Sequence, residues 1–569
     1  MKRKGTKTVA VMILSGALLL PGAPYLAIAQ ESPSASMQAA GYYLPNSVRA
    51  VVKSVLNEKT AEGTRIGAVV KLYNEGTRVT RVPDLELKAK TTDGVSYTLS
   101  PSASNPRSIQ PRTSVEVSYM MAVDREDEFS LEELSWVEVD EYVYPKKETY
   151  IQSVPVGGME WRGEGTVWNK PSASVKWGDS FSLPDLTTAL EYKADGLDEQ
   201  ITPQGNTTVV RLLVTNKSKE KRSIPDFRLN ALSDKAYTGQ RLEQGNVTLE
   251  PGEQRYVHFS FPIENRLDLH SLMVLTPETF TADDKTTVTY YVGRLAVTLP
   301  EDSNAQPFIR KPVAYDWNSR IPFDSLNRLI HPKLEVTLAD LHLNESEGGG
   351  FKSGIAKFKL INRSDRPLPL PNFQTQWVSA DGNKYAGTRQ STKVDSLMPN
   401  VGYVLYYSFV LPASEKGDRV GMELLDGVTA APYKATIASL QTGIKPSVKG
   451  LDFYPFQVKL NDWTVTPEQA QPQATTFTYK VNLNLSVTRQ DEVVVDQTFT
   501  RMKVELLDSQ GNTLGAKLLP LTGEGRVESG VQTIDIRSIR SVRDFSLRVY
   551  ETVETPFGEA ERLLGTFTP

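Results

Sequence analysis

Four histidines are the side chains of this chain best suited to bind a metal ion or to transfer a proton: His258, His270, His331 and His342. The closest pair in sequence, His331 and His342, would lie roughly 36 Å apart on one extended strand, and no turn signal between them indicates a closer approach. The chain contains no cysteine, which excludes thiol catalysis and thiolate metal ligands. We therefore predict that the protein holds no metal and no cofactor.

The sequence also lacks the short motifs of known catalytic machinery, such as a nucleophile elbow, a phosphate loop or a zinc-protease helix. The acidic segment Asp124–Glu133 has neither the spacing nor the glycine of a calcium loop, so we interpret it as a solvated loop. Paired carboxylates of a glycoside hydrolase are recognised by geometry rather than by spacing, so that alternative stays open. Our prediction is that the protein is not an enzyme.

Three tryptophans lie close together in a stretch rich in glycine and proline: Trp161, Trp168 and Trp177. Exposed tryptophans can stack on sugar rings or contact a protein partner. The alternative is that the three rings pack the joint between two domains. These residues are the candidate ligand or partner contacts of the sequence.

A repeated pattern, centred on three asparagines, indicates the secondary-structure elements of the chain. Apolar residues alternate with polar ones before Asn74, Asn216 and Asn362, and this period of two predicts a strand with one buried face. Asparagine ends such a strand, because its side chain can bond to nearby backbone. The alternating residues are Ala68, Val70 and Leu72; Val210, Leu212 and Val214; Ala356, Phe358 and Leu360.

Two prolines follow each asparagine at matching distances, and they predict where the next strands begin. Proline donates no ladder hydrogen bond, so we place each one at the first residue of a strand. Asp-Gly pairs at 93–94 and 381–382 predict hairpin turns. His258 stands between the core residues Val257 and Phe259 on one strand. Its side chain therefore points to the opposite face of the sheet, and we expect the ring to face solvent. The prolines are Pro83 and Pro111, Pro225 and Pro251, and Pro371 and Pro399.

Short strands, turn signals and the absence of a long 3.6-residue period predict an all-β protein, a tandem array of immunoglobulin-like β-sandwich domains. We expect connectors rather than shared cores to join the domains, so that each unfolds nearly independently. The fourth copy lacks the marker prolines and is divergent. The predicted parts are a signal peptide at 1–29, a linker at 30–40, sandwiches at 41–149, 186–291, 331–440 and 441–569, and connectors at 150–185 and 292–330.

The N-terminus predicts export. A basic stretch, an apolar core of about a dozen residues and the small-x-small site Ala27–Ala29 form a signal peptide; the alternative is an uncleaved anchor, for which the apolar run is short. Its removal takes four basic residues and shifts the net charge from −4 to −8. An exported chain without cysteine indicates a Gram-positive bacterium, and we expect the protein to be extracellular or associated with the cell wall.

The strand-end asparagine, the proline before an aromatic strand and the Asp-Gly-x-x-Tyr hairpin together resemble the telokin-like immunoglobulin-type domains of Gram-positive secreted proteins. The pattern stands here as NKSKEKRSIPDFRL with LEPGEQRYVHFSF, and as NRSDRPLPLPNFQT with DGNKY. The resemblance implies the fold and no catalytic residues, since that family is largely uncharacterised.

These observations predict a non-catalytic secreted or cell-envelope protein that binds or scaffolds. An envelope polymer or an envelope protein is the expected partner. Nucleic acid is not an expected partner, because no basic stripe is present. No membrane span is expected after signal cleavage. Two alternatives stay open: an accessory subunit of an envelope transporter or secreted-enzyme complex, and a carbohydrate-binding protein or unrecognised glycoside hydrolase.

Overall fold

A computed structural model describes residues 41–568 of the chain, apart from 62, 168–172, 184–185, 203–204, 264–268, 301–311, 346–349, 447–449, 469–475 and 497–498. The predicted signal peptide at 1–29 and the linker at 30–40 lie outside the described residues. The described chain is all-β, and its helical content is one 3-10 turn, Pro45–Ser47. Nowhere in the described ranges is there a helix with the length and apolar character needed to cross a membrane.

The chain divides into two compact units. Unit 1 runs to Glu160 and includes Phe280–Thr286, and unit 2 comprises Trp161–Thr279 and the chain from Thr287 onward. Unit 1 contains the first sandwich. Unit 2 contains the second, third and fourth sandwiches, each with two sheets around its own apolar core.

The first sandwich is a single sheet folded back on itself. The short strand Ser96–Pro101 pairs with Glu86–Thr91 on one side and with Ser114–Val123 on the other, so it joins the two layers. Between the layers lie Val70, Leu87 and Trp136. The strands are β1 (Tyr42–Leu44), β2 (Val48–Thr60), β3 (Gly63–Asn74), β4 (Thr80–Arg81), β5 (Glu86–Thr91), β6 (Ser96–Pro101), β7 (Ser108–Ile109), β8 (Ser114–Val123), β9 (Leu131–Asp140), β10 (Lys147–Pro155) and β11 (Glu160–Trp161).

The second sandwich packs the sheet β12-β23-β22-β17-β18 against the sheet β13-β14-β15-β21-β19. Residues of the predicted connector at 150–185 supply β12 and β13, so this stretch adds edge strands. The strands are β12 (Ala173–Lys176), β13 (Ser180–Leu183), β14 (Thr187–Thr202), β15 (Gly205–Asn216), β16 (Arg222–Ser223), β17 (Arg228–Leu232), β18 (Ala236–Thr238), β19 (Gln240–Arg241), β20 (Thr248–Leu249), β21 (Gln254–Phe261), β22 (Ser271–Thr281) and β23 (Thr287–Thr298).

The third sandwich repeats that arrangement, with the sheets β24-β34-β33-β28-β29 and β25-β26-β32-β30. Its edge strand β24 comes from the predicted connector at 292–330. The strands are β24 (Val313–Ala314), β25 (Leu334–Glu345), β26 (Phe351–Asn362), β27 (Leu368–Pro369), β28 (Gln374–Val378), β29 (Lys384–Ala386), β30 (Thr388–Arg389), β31 (Ser396–Leu397), β32 (Gly402–Pro412), β33 (Val420–Asp426) and β34 (Ala435–Thr442).

The fourth sandwich packs β35-β36-β37-β41 against β40-β39-β42-β43. Its strand β38 leaves this body and pairs in parallel with β32 of the third sandwich. The strands are β35 (Leu451–Phe453), β36 (Phe456–Glu468), β37 (Phe477–Arg489), β38 (Val493–Val494), β39 (Arg501–Asp508), β40 (Thr513–Pro520), β41 (Gly530–Ser538), β42 (Phe545–Thr555) and β43 (Gly558–Phe567).

The third and fourth sandwiches share a buried apolar cluster, so the expectation that connectors alone join the domains was wrong for this pair. The cluster draws Ile355 and Val404 from one sandwich and Phe499 and Val553 from the other, together with Ala339, Tyr406, Tyr454, Val493 and Ala560. These residues lie on faces that a single sandwich would leave in water. Because they are buried against each other, the two bodies are expected to unfold together.

Each strand-end asparagine is buried and bonds to backbone, as the sequence predicts. The Asn362 amide nitrogen donates to the carbonyl oxygens of Arg366 and Leu397, both at 2.8 Å, and its oxygen accepts from the Ser364 N–H at 2.8 Å. Asn74 and Asn216 make the same set of bonds, to Arg78, Ile109 and Gly76 and to Glu220, Leu249 and Ser218 respectively. One side chain thus ties the end of its strand to a segment more than thirty residues away.

The marker prolines lie three residues before their strands, so their predicted place at the first strand residue was wrong. The second proline of each copy occupies a β-turn instead. The residue after it has positive φ, as in Arg112 (58°), Gly252 (75°) and Asn400 (59°), and an N–H two residues after the proline bonds back across the turn. Proline suits this position because its fixed φ matches the first central residue of a type II turn.

We expect Asn362→Ala to lower the free energy of unfolding by about 2–4 kcal/mol, because the buried Leu397 carbonyl oxygen and the buried Ser364 N–H both lose this hydrogen-bond partner. Urea unfolding followed by tryptophan fluorescence measures the change. Asn383→Ala, at an exposed hairpin turn of the same sandwich, is the matched control and should change little. Equal effects of the two substitutions would contradict the proposed role of the buried amide.

Candidate functional site

The structure describes two of the three candidate tryptophans, Trp161 and Trp177. Trp161 is 2% exposed and lies close to Gly293, where an added Cβ would come within 2.8 Å of the ring. Trp177 is half-buried against the core of the second sandwich, and Trp168 lies outside the described residues. The burial of Trp161 favours the packing interpretation for that ring, while a ligand contact at Trp177 stays a prediction.

The prediction that His258 faces solvent was wrong. Its ring is 3% exposed, its Nδ1 lies 2.6 Å from Glu243 Oε1, and its centroid lies 5.5 Å from that of Tyr433. The alternation of side chains along β21 correctly predicts that the ring lies on the outer face of this strand. The third sandwich covers that face, and Tyr433 also donates a hydrogen bond to Asp198 of the second sandwich. A contact between sandwiches, which parity does not encode, decides the environment.

A small cavity of about 240 Å³ lies beside His258, between the second and third sandwiches. Buried nitrogens of Arg211, Arg255 and His258 find no hydrogen-bond partner among the described residues. Carboxylates of Glu243 and Asp426 line the same space, so positive and negative charges balance. A cavity of this size can hold ordered water.

A buried cluster of charged side chains lies between the third and fourth sandwiches. Each sandwich contributes one acid and one base on paired strands: Asp340 opposite Lys357, and Glu551 opposite Arg562. Across the interface, Lys357 Nζ lies 2.6 Å from Glu551 Oε1 and 3.5 Å from Asp340 Oδ2. Arg562 Nη2 lies 2.6 Å from Glu551 Oε2. Both carboxylates therefore face a cation.

His342 lies within the same cluster, with its nitrogens 3.2 Å from Asp340 Oδ2 and 3.4 Å from Glu551 Oε2. Two acids and two bases already balance, so a protonated imidazole would add an uncompensated buried charge. Burial lowers the pKa of His342, and Arg562 lowers it further against the opposing effect of Asp340. Burial alone would raise the pKa of Glu551, but Lys357 and Arg562 outweigh it and hold that pKa below its usual range.

This cluster joins charged side chains of two sandwiches and can stabilise the interface between them. The side chains pair with one another, Lys357 is fully buried, and its remaining contact is the Tyr454 carbonyl oxygen at 3.2 Å. Across the described residues, no three histidine, aspartate or glutamate side chains are grouped so as to hold a metal ion. Sequence reasoning missed the cluster because Lys357 stands at a polar position of an alternating strand, where a lysine normally faces water.

A second cavity is a groove of about 890 Å³ in unit 1. Its lining residues belong to β5, β6, β8, β9 and β10 and to the segments beside them. Leu85, Leu87 and Leu99 lie beside it, and Leu87 and Leu99 are fully buried in the core. Its walls carry five carboxylates against the single cation of Lys147: Asp84, Glu86, Glu138, Asp140 and Glu141. Sequence reasoning missed this groove, although Glu138 and Asp140 continue the core-facing parity of Trp136 in β9.

Comparisons with known proteins give no identity. No family model matches the chain, and no curated protein does either. Three solved structures show weak likeness. A Porphyromonas gingivalis W83 protein of unknown function has 13% identity and a TM-score of 0.14, over 45% of this chain and 100% of that chain. Dimeric latent PorU from Porphyromonas gingivalis has 12% identity and a TM-score of 0.12, over 67% of this chain and 34% of that chain. Amycolatopsis orientalis exo-chitosanase CsxA has 7% identity and a TM-score of 0.11, over 89% of this chain and 92% of that chain. Likeness at these TM-scores carries no argument about fold or function.

We expect Lys357→Met to cost about 3–5 kcal/mol, because it leaves two buried carboxylates, Asp340 and Glu551, beside the single cation of Arg562. Calorimetry of the full chain should show the transition of the third and fourth sandwiches shifted to lower temperature. Lys480→Met removes the exposed ion pair with Glu468 and is the matched control. A Lys357→Met protein as stable as this control would contradict a stabilising role for the cluster.

Acidification should weaken the same interface, starting with His342. Below about pH 6.5 the unfolded chain binds a proton at this histidine that the folded chain does not, so stability falls as pH decreases. The contribution of Glu551 is present above its unfolded pKa of about 4.3 and is lost at lower pH. Thermal unfolding between about pH 7 and 5 should show a smaller slope for His342→Gln, and an unchanged slope for the exposed control His270→Gln. Equal slopes in all three proteins would exclude His342 as the cause.

Proposed function

We propose that the protein is a non-catalytic secreted or cell-envelope protein in which tandem immunoglobulin-like sandwiches bind or scaffold other envelope components. The resemblance of its strand-end and turn motifs to telokin-like domains supports this reading, as does the predicted signal peptide. An envelope polymer or an envelope protein is the proposed partner.

The observation that carries the scaffolding proposal is the union of the third and fourth sandwiches. Domains joined only by a linker move relative to one another by default, unless their interface is large and apolar. Here an apolar cluster, a transferred strand and a buried ion cluster all join the same pair. Tyr403 adds a hydrogen bond of 2.5 Å to Asp496 beside the transferred strand. Such a joint fixes the spacing between two surfaces.

A fixed spacing serves a scaffold better than it serves an independent enzyme domain. An extended polymer or a large partner can contact both sandwiches at once, and the affinities then combine without a loss of entropy in the joint. The side chains of Lys357, Asp340 and Glu551 are buried, so the ion cluster places none of these three charges at the surface. The proposed role of the joint is therefore mechanical.

Fractionation of the native host tests the proposed location. We expect the mature chain outside the membrane, held at the cell wall and released by a salt wash, because charged contacts at exposed surfaces are screened by salt. A chain without residues 1–29 should stay in the cytoplasm and is the control. Full-length protein that is found in the cytoplasm would overturn the proposal of export.

Sedimentation with purified envelope material tests the proposed binding. The full mature chain should co-sediment with wall polymer or retain an envelope protein at a fixed stoichiometry. Heat-unfolded chain is the control for adhesion by exposed apolar surface. If neither material retains the folded chain, the binding part of the proposal fails.

A further inference from the structure

Every sandwich carries a hairpin formed by the last two strands of one of its sheets. The hairpins are β9–β10, β22–β23, β33–β34 and β42–β43. In each sheet the first strand of the hairpin also pairs with the strand that precedes it in the repeat, which is β5, β17, β28 or β39. The four hairpins are therefore equivalent parts of one repeated unit.

The β33–β34 hairpin docks onto the second sandwich. Ala430 and Tyr433, between its two strands, pack against Val209 of β15. The Tyr433 hydroxyl donates a hydrogen bond to Asp198 of β14, and its ring centroid lies 5.5 Å from that of His258. The hairpin of one sandwich thus covers the outer face of the β14-β15-β21 sheet in the sandwich before it.

The β42–β43 hairpin docks onto the third sandwich in the same way. Val553 and Ala560 pack with Ile355 of β26 in a buried apolar cluster. The Glu554 carbonyl oxygen accepts a hydrogen bond of 2.7 Å from the Tyr406 hydroxyl of β32. The covered surface is the outer face of the β25-β26-β32 sheet.

The two covered faces correspond residue by residue. Val209 and Ile355 each stand seven residues before a strand-end asparagine, and both are buried. His258 and Tyr406 each stand seven residues after the second marker proline, and both are also buried. One mode of docking therefore joins the second sandwich to the third and the third to the fourth.

The tip of the β9–β10 hairpin in the first sandwich is exposed. Tyr142 and Tyr144 are fully exposed, and Val143 between them is 47% exposed. A tyrosine ring offers a large apolar surface together with a hydroxyl, which is why tyrosine is enriched at interfaces. Tyr433 has this role in the docked β33–β34 hairpin. The exposed tip thus carries the residue type that an equivalent hairpin uses for docking.

The outer face of the β36-β37-β41 sheet in the fourth sandwich corresponds to the two covered faces. Strand β36 shifts register after Leu460, as β25 does after Leu338 and β14 does after Ala194. In all three sheets the third strand then pairs with the far side of the second. The register shift therefore fixes which residues of the three faces correspond.

Val531 is an exposed apolar residue at the docking position of this face. Asn484 of β37 is the first residue paired beyond the register shift, and it pairs with Val531 of β41. Lys357 of β26 is the first residue paired beyond the shift in the third sandwich, and it pairs with Tyr406. Val531 therefore has the position of Tyr406, but it is 67% exposed whereas Tyr406 is 5% exposed.

The neighbours of Val531 can accept a tyrosine hydroxyl. Thr464 stands four residues after the start of the register shift, as does Asp198, which accepts the Tyr433 hydrogen bond. Thr464 is exposed, and its hydroxyl has acceptor capacity. The face thus offers an apolar contact and a polar acceptor at the two positions that a docked hairpin uses.

We propose that the β9–β10 hairpin of one copy of the chain docks onto the β36-β37-β41 face of a second copy. The contact continues the mode by which the sandwiches dock within the chain. The tyrosine rings cover Val531, and a tyrosine hydroxyl donates to Thr464 as Tyr433 donates to Asp198. The two surfaces lie on different sandwiches, so the association is head to tail and can add further copies. Self-association of this kind goes beyond the proposed function and depends neither on export nor on a wall ligand.

Analytical ultracentrifugation of the full mature chain tests the proposal. We expect the mean mass to rise with protein concentration and to pass that of a dimer, because a head-to-tail contact leaves one hairpin and one face free at the ends. The affinity should be weak, since one hairpin buries a small area.

Two variants each remove one side of the contact. The double substitution Tyr142→Ser and Tyr144→Ser removes the rings of the hairpin, and Val531→Asp places a charge at the apolar position of the face. Each protein alone should stay monomeric. An equimolar mixture should form a dimer and nothing larger, because each protein keeps one intact surface. Leu563→Asp, at an exposed position of the other sheet of the fourth sandwich, is the matched control and should associate like the parent chain.

Three results would overturn the proposal, with folding verified by the thermal transition. The first is a parent chain that stays monomeric up to about 1 mM. The second is association of the Val531→Asp protein equal to that of the parent and of Leu563→Asp. The third is a mixture of the two variants that stays monomeric. If the monomeric parent instead binds wall polymer and loses that binding with the tyrosine substitutions, the hairpin serves the polymer and not a second copy.

Discussion

A buried side-chain amide is the constraint on which the sandwiches depend. In three places an asparagine ends a core strand and bonds to the carbonyl oxygen two residues before a turn proline. Because the amide is buried, these bonds cannot be exchanged for bonds to water without the cost of unpaired backbone groups. The turn and the following strand are therefore held in register with the first strand. Strands before and after this tie then bury the alternating residues between two layers.

The ion cluster has a different role, which is to make the docking of the third and fourth sandwiches specific for one orientation. Apolar contacts between sandwiches are not directional. The ion pair is directional, because the buried Lys357 ammonium group needs a carboxylate of the facing sandwich within contact distance, and Glu551 supplies it. A mismatched docking would bury Lys357 with Asp340 at 3.5 Å but without the closer carboxylate of Glu551. The cluster thus contributes specificity to an interface whose affinity comes from the apolar residues around it.

Local features of the chain were predictable from sequence, and contacts between bodies were not. The alternation before Asn216 predicts β15, and the glycines at 94 and 382 adopt the positive φ that their hairpins require. Proline was misplaced by three residues because both a strand start and a turn tolerate it. His258 was misjudged because parity assigns a side chain to a face and does not reveal what covers that face. The acidic groove combines residues from five strands, and tertiary packing rather than local pattern brings them together.

The pairing of charges within each sandwich has a consequence for the order of events during synthesis. Lys357 and Glu551 are separated by 194 residues in the chain, so the third sandwich is complete well before its partner exists. During that interval Asp340 and Lys357 lie opposite one another on neighbouring strands and can share a hydrated outer surface. A nascent third sandwich therefore presents neutral but polar side chains there instead of a continuous adhesive patch. The surface remains in water until Glu551 and Arg562 emerge, and only then does burial become favourable.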